Sequence, residues 1–189
     1  MKLLKFFCGL LIALFLALPS VAGALHWNKN MIMVYMPADN EYTPMMQNAF
    51  KAWEGRFERK ILYIMTTFYR DVRLADIEVR LNPVTGEGAK NSGNTSLTPA
   101  ADFIRHGLIT INYINDEEIQ SNPQKKAEND AQIYRIMQHE VGKVMGLQNS
   151  GNEKSVMFDK IEAEQSILDE DIENIYLLYG WRATHKKTR

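Results

Sequence analysis

The sequence predicts a mixed α/β (α+β) domain built around a twisted sheet. Short apolar or β-branched runs at residues 31–36, 61–67 and 108–114 indicate strands. Stretches between and after them carry apolar residues three and four positions apart, which is the spacing of one helical face. A chain of 189 residues with 46% hydrophobic residues is typical of a single packed domain.

The first 24 residues have the pattern of a secretory signal. Two lysines precede an apolar run over residues 6–18, and Ala22-Gly23-Ala24 supplies a small-x-small cleavage site. The run is shorter than a membrane-spanning helix needs, although an uncleaved N-terminal anchor stays an alternative and would be the only contact with a membrane. We expect a signal peptide over residues 1–24, a secreted or periplasmic domain over 25–182, and a basic tail over 183–189.

The composition excludes several kinds of chemistry. Cys8 is the only cysteine and lies inside the predicted signal, so the exported chain has no cysteine nucleophile, metal ligand or disulfide. The signal's two lysines are its only charges, so cleavage would change the net charge from −1 to −3. No basic stripe indicates a nucleic-acid partner, and the basic tail has the character of a solvated chain end.

The first half of the chain predicts a strand, a helix and two further strands. Thr43 is the expected N-cap of the helix, with Pro44 in its first turn. The alternation of apolar and charged residues over 75–81 predicts a half-exposed strand that Asn82-Pro83 closes, and residues 83–94 resemble a loop. The apolar face of the helix, expected in the core, consists of Met46, Ala49, Phe50, Trp53 and Phe57.

The second half predicts two more helices after the strand at residues 108–114. Residues 116–129 are charged and contain Pro123, which favours a surface connection, and a helix is expected from about 130 to 147. Ser166-x-x-Asp169 is the expected cap of a final helix that Gly180 ends. The predicted buried face of that helix is Leu168, Ile172, Ile175, Tyr176 and Tyr179.

The most informative stretch is a motif at residues 139–157. His139, Glu140 and Gly146 match the pattern H-E-x-x-H-x-x-G-x-x-H, and Ser155-Val156-Met157-Phe158 follows after a short loop. Positions four apart on a helix lie on one face, so side chains at 139 and 143 would approach one metal ion together. This motif resembles the active-site helix and Met-turn of metzincin zinc metallopeptidases, in particular the matrixin-like branch.

The resemblance extends over about residues 31–181. "Ala-Phe-x-x-Trp" in the first helix, "Ala-Asp-Ile-x-Val" in the strand after it, and "Asp-Ile-x-x-Ile-x-x-Leu-Tyr-Gly" near the end are also similar to that branch. The resemblance implies a metzincin-like twisted mixed sheet, mostly parallel, with an active-site helix, a Met-turn at Met157 and a C-terminal helix. It also implies an antiparallel edge strand near residues 95–98, to which an extended peptide could add.

Two of the three metal-ligand positions of the motif depart from the family pattern. By resemblance His139 is a zinc ligand and Glu140 the general base, but Lys143 and Asn149 occupy the other two ligand positions. A catalytic zinc needs about three ligands from His, Asp, Glu or Cys, and a protonated lysine repels a dication. We hypothesise that the Lys143 ammonium takes the place of the metal beside Glu140 and His139, with Asn149 as its hydrogen-bond partner.

Other ligands in the chain could in principle rebuild a metal site. Glu153, Asp159 and Glu162 follow the motif and could approach it. Among the remaining histidines, His106 has no partner at the spacing of a metal site, and His26 and His185 are near the ends of the chain. A simpler interpretation makes His139 a packed helix residue and Glu140 with Lys143 an exposed ion pair.

The sequence therefore supports two functions. The favoured one is a secreted pseudopeptidase, with zinc doubtful as a cofactor, that binds a peptide or protein segment in extended conformation. The alternative is an active zinc-dependent endopeptidase with a rearranged metal site. The two differ in whether zinc copurifies with the protein in stoichiometric amount.

Overall fold

The computed structural model of the protein describes residues 25–65, 72–162 and 164–181. The predicted signal peptide over 1–24, the predicted basic tail over 183–189 and His185 lie outside the described residues. Among the described helices, none is both long enough and apolar enough to cross a membrane.

Within the described residues, five strands form one sheet with the order β2-β1-β3-β5-β4. β1 is parallel to β2 and β3, and β3 is parallel to β5, whereas β4 is antiparallel to β5 and lies at the end of the sheet. The predicted mixed sheet with one antiparallel edge strand is confirmed. The strands are β1 (Ile32–Tyr35), β2 (Leu62–Met65), β3 (Ile77–Val84), β4 (Ser92–Ala100) and β5 (Phe103–Ile114).

Four helices accompany the sheet in the described part of the chain. They are α1 (Thr43–Glu54), the single turn α2 (Glu117–Gln120), α3 (Pro123–Val144) and α4 (Asp169–Leu178). α3 packs against α1 and also contacts β4 and β5, so the long helix lies across the edge half of the sheet. This arrangement brings the edge strand β4 next to the helix that carries the motif.

One hydrophobic core joins the helices to the sheet. Alternate residues of β5 are buried, with Ile109 and Ile111 fully inaccessible, while the residues between them are only partly covered. Burying a side chain of that size contributes roughly 1.5–3 kcal/mol. The predicted apolar face of α1 is confirmed as part of this core, including Phe57, which is buried just beyond the end of the helix.

Two boundaries between strand and loop differ from the prediction. β3 does not end at Asn82-Pro83 but continues to Val84, and β4 already begins at Ser92, so the predicted loop over 83–94 is too long. Pro83 is tolerated because the β1 pairing of β3 extends only to Glu78, leaving one neighbour, β5, at this point. A missing backbone N–H costs little on the unpaired side of a strand.

The prediction that residues 116–129 form a surface connection is wrong. They form α2 and the first turns of α3, which begins at Pro123 rather than near residue 130. The Asn122 side chain accepts hydrogen bonds from the backbone N–H groups of Gln124 and Lys125, both at 3.1 Å. Asn122 is therefore the N-cap, and Pro123 starts the helix where its missing N–H is not needed.

The two predicted N-caps are also wrong. α1 includes Thr43, whose hydroxyl donates to the Pro37 carbonyl instead of capping the helix. α4 begins after Leu168, whose N–H donates to the Asp171 carboxylate at 2.9 Å, and Ser166 has no part in the cap. Gly180 follows the last turn with a φ of 61°, as expected for a helix-ending glycine.

Candidate functional site

The C-terminal half of α3 carries the motif and is fixed by two tryptophans. The Trp53 indole on α1 donates to the Gln138 carbonyl at 2.8 Å, and the Trp27 indole donates to the Val144 carbonyl at 2.9 Å. Both indoles are buried, so each hydrogen bond satisfies a donor that would otherwise be desolvated. The helix that holds His139 and Glu140 is thus held from two sides.

The chain leaves α3 sharply at Gly146. Leu147 N–H donates to the Gly142 carbonyl at 3.1 Å and Gly146 N–H to the Lys143 carbonyl at 2.9 Å, which is the Schellman arrangement. Gly146 has a φ of 100°, and a Cβ there would overlap the Leu25 carbonyl oxygen. Only glycine fits this conformation without strain, and the turn carries the chain towards Asn149.

Met157 lies beneath the helix in a tightly fitted contact. Its side chain is 1% exposed, and a Cβ on Gly142 would overlap its sulfur and come within 2.8 Å of Trp53 Cζ2. Gly142 is therefore the residue that lets the Met-turn approach α3. A preceding serine stabilises the turn, because Ser155 Oγ accepts from Met157 N–H at 2.9 Å.

The same serine ties the turn to α4. Ser155 Oγ donates to Asp171 Oδ1 at 2.7 Å, while Asp171 Oδ2 accepts from Leu168 N–H. Burial raises the pKa of the Asp171 carboxyl, and the hydrogen bonds from Leu168 and Ser155 oppose that rise. Asp171 therefore joins the start of α4 to the turn under the motif.

His139 is held in an orientation suited to a ligand. Its ring is 9% exposed, and Nδ1 lies 2.8 Å from the carbonyl oxygen of Val156, next to Met157. Because a carbonyl oxygen can only accept, Nδ1 carries a proton in this hydrogen bond. A metal-binding histidine is commonly oriented in this way by a second hydrogen bond.

Glu140 is directed to the edge strand. Its side chain is 7% exposed, and Oε2 accepts from Thr95 Oγ1 on β4 at 2.6 Å. Gly93, two residues earlier on the same face of β4, leaves room for the carboxylate, since a Cβ there would lie 2.6 Å from Glu140 Oε1. Burial raises the pKa of Glu140, while Thr95, His139 and Lys143 act in the opposite direction.

Lys143 and Asn149 hydrogen-bond to one another. Lys143 Nζ donates to Asn149 Oδ1 at 3.0 Å, which matches the expectation that Asn149 would partner the ammonium. The expected pairing of Lys143 with Glu140 is not seen, because the hydrogen bond of that carboxylate goes to Thr95. The reason is direction: buried Glu140 turns towards β4, whereas half-buried Lys143 reaches to the turn after Gly146.

The described residues do not fit a zinc ion at this site. No three His, Cys, Asp or Glu side chains in the described ranges lie close enough together to hold a metal. The candidates for a rebuilt site, Glu153, Asp159 and Glu162, are exposed, and His26 packs between the rings of Phe103 and Tyr179. His106 lies on β5 opposite Thr98. His139 is thus left with an ammonium and an amide as its neighbours at the family's ligand positions.

Sequence reasoning missed the two β4 residues that shape the site. Thr95 and Gly93 contact Glu140, although they stand 45 and 47 positions before it in the chain. No local pattern in β4 identifies Glu140 as their partner. The contact between Met157 and Gly142 was not predicted either.

The fold and the site together define a metzincin-type metallopeptidase domain: a mixed sheet with an antiparallel edge strand, a motif helix and a Met-turn beneath it. The sequence model of the matrixin family matches residues 27–180, so this chain belongs to the matrixin family. Matrixins are typically zinc-binding metallopeptidases. Among curated proteins, the sequence has no significant match.

Proposed function

We propose that this matrixin domain is a secreted or periplasmic pseudopeptidase that binds a peptide or protein segment in extended conformation. The observation that carries the proposal is the 3.0 Å hydrogen bond between Lys143 and Asn149. These two side chains stand where the family pattern requires histidines. The ammonium has no lone pair for a metal, and it donates one hydrogen bond to the Asn149 amide oxygen. An ammonium one helical turn from His139 also opposes the binding of a dication.

The rest of the site supports retention of a cleft. The Met-turn, the Schellman turn at Gly146 and the orientation of His139 are all built from buried, hydrogen-bonded groups. Disrupting such groups costs folding free energy, so the frame of the cleft persists without its metal. β4 lies at the end of the sheet, and α3 runs beneath it. A free strand edge of this kind can pair with an extended peptide through main-chain hydrogen bonds.

A separate cavity lies along the first half of α3. It has a volume of about 440 Å³ and is lined by Asn129 and Gln132 of the helix and by Ile161 and Glu162 beyond the Met-turn. Asn91, just before β4, hydrogen-bonds to both Asn129 and Gln132. A peptide lying along β4 would therefore find space for a side chain between α3 and the segment after the Met-turn.

The test is the zinc content of the exported protein, with a matched variant that restores the family ligands. After dialysis, elemental analysis should find zinc well below one per chain in the wild type and about one per chain in Lys143→His/Asn149→His. The double variant keeps His139 and Gly146, so it isolates the effect of the two replaced ligands.

The alternative, an active endopeptidase with a rearranged site, makes the opposite prediction. Stoichiometric zinc in the wild type, together with peptide cleavage that disappears in Glu140→Gln, would refute the pseudopeptidase. Glu140 and His139 are the residues that would then act as base and ligand. If neither the wild type nor the double variant held zinc, circular dichroism would show whether the double variant is folded.

A further inference from the structure

We propose that Lys143 is an anion-binding residue, and that the cleft selects peptides that place a carboxylate on it. The inference rests on the proposed peptide-binding function and names the chemistry that this function recognises. The carboxylate can belong to the C-terminus of a peptide or to an Asp or Glu side chain. Both sources present the same charge and the same two acceptor oxygens.

Lys143 makes no salt bridge with a described residue, although its charge lowers the pKa of buried Glu140. Its ammonium donates to one neutral group, the Asn149 amide oxygen at 3.0 Å. An ammonium has three N–H donors, so two remain for a ligand. The nearest carboxylate along the helix, Glu140, is buried and bonded to Thr95 on β4.

Lys143 is also positioned beside the path of a peptide. Glu140 contacts β4 at Gly93 and Thr95, which fixes where the strand crosses α3. Lys143 is three residues further along the same helix, about 4.5 Å along its axis. A chain that pairs with the free edge of β4 would pass over this part of α3, and Lys143 is only half-buried there.

The energetics favour a carboxylate over a neutral group. A charge-assisted hydrogen bond from an ammonium is roughly twice as strong as one between neutral groups. Lys143 is half-buried and Asn149 is exposed, so solvent screens part of the interaction. We expect about a tenfold preference for peptides with the carboxylate over matched peptides without it.

The experiment uses one random octapeptide pool synthesised twice, with free and with amidated C-termini. The exported protein is immobilised, and mass spectrometry measures the enrichment of each pool. Lys143→Gln removes the charge but keeps an N–H donor for Asn149, and Lys143→Arg keeps the charge. Lys51→Met, on the exposed face of α1, is the control for loss of a lysine elsewhere. Thermal unfolding of each variant shows that it is folded.

The inference predicts a preference for carboxylates in the wild type, Lys143→Arg and Lys51→Met, and its loss in Lys143→Gln. Enrichment of the free-acid pool identifies the C-terminus as the source. Enrichment of Asp and Glu over Asn and Gln within the amidated pool identifies a side chain. Equal binding of matched acidic and neutral peptides overturns the inference and leaves peptide binding intact. Failure of every pool to bind overturns peptide binding and the inference together.

Discussion

Adding one methyl group to the motif helix tests how the Met-turn is fitted to it. In Gly142→Ala, the new Cβ would overlap Met157 Sδ and lie 2.8 Å from Trp53 Cζ2. Trp53 is fully buried and held by its hydrogen bond to the Gln138 carbonyl, so it has little freedom to move. The contact with Met157 is similarly enclosed, since that side chain is 1% exposed.

Two opposing effects set the magnitude. Alanine is favoured over glycine within a helix by about 1 kcal/mol. Inserting a methyl group into a well-packed core typically costs about 1–3 kcal/mol, and more where neighbours cannot shift. Because a flexible methionine and a fixed tryptophan both obstruct the new Cβ, packing should prevail, with a net loss of about 1–2 kcal/mol. For a domain of this size each kcal/mol lowers Tm by roughly 2–4 °C.

Urea unfolding followed by circular dichroism measures the loss, and Gly151→Ala is the matched control. A Cβ at Gly151 meets no atom within 4 Å, so its free energy of unfolding should change by less than about 0.5 kcal/mol. Gly142→Ala combined with Met157→Ala should cost less than the two single changes added, because the new methyl group occupies space that Met157 vacates. A more stable Gly142→Ala, or strict additivity, would refute the proposed fit.

Two further predictions concern the buried carboxyls and their partners. Burial raises the pKa of Glu140 above its ordinary value, so the folded state favours the protonated form; its contribution to stability is complete at low pH and is lost as the pH rises through the folded pKa. Glu140→Gln should therefore reduce the fall in unfolding free energy as the pH rises through the folded pKa of Glu140. Urea titration at several pH values measures this fall, and the same slope in the variant and the wild type would contradict the raised pKa of Glu140. Ser155→Ala should cost about 1–3 kcal/mol in the same assay, because it leaves Met157 N–H without its partner and removes a donor to buried Asp171. Exposed Ser96→Ala is the control. An equal effect in the two variants would show that the hydrogen bonds of Ser155 do not stabilise the fold.

The strand and helix order was predictable because its signals are local. The β-branched run at residues 108–114 lies within β5, and the apolar spacing from Met46 to Phe57 identifies the buried face of α1. The errors are at the ends of helices and strands, where a proline is compatible with more than one local structure. Pro123 was interpreted as a loop residue, although it follows the N-cap Asn122 and starts α3. Pro83 was expected to end β3, but a proline ends a strand only where both edges of that strand are paired.

The sequence by itself determined the family resemblance and the substitutions at two ligand positions, because motif spacing on a helix depends only on helical geometry. It placed the end of that helix near residue 147, whereas α3 ends at Val144 and the turn at Gly146 follows with a positive φ. Tertiary structure decided the hydrogen-bond partner of each site residue. Glu140 bonds to Thr95, His139 to Val156 and Lys143 to Asn149, and these choices depend on how β4 and the Met-turn pack against α3. Contacts between residues far apart in the chain arise from packing, which no local pattern specifies.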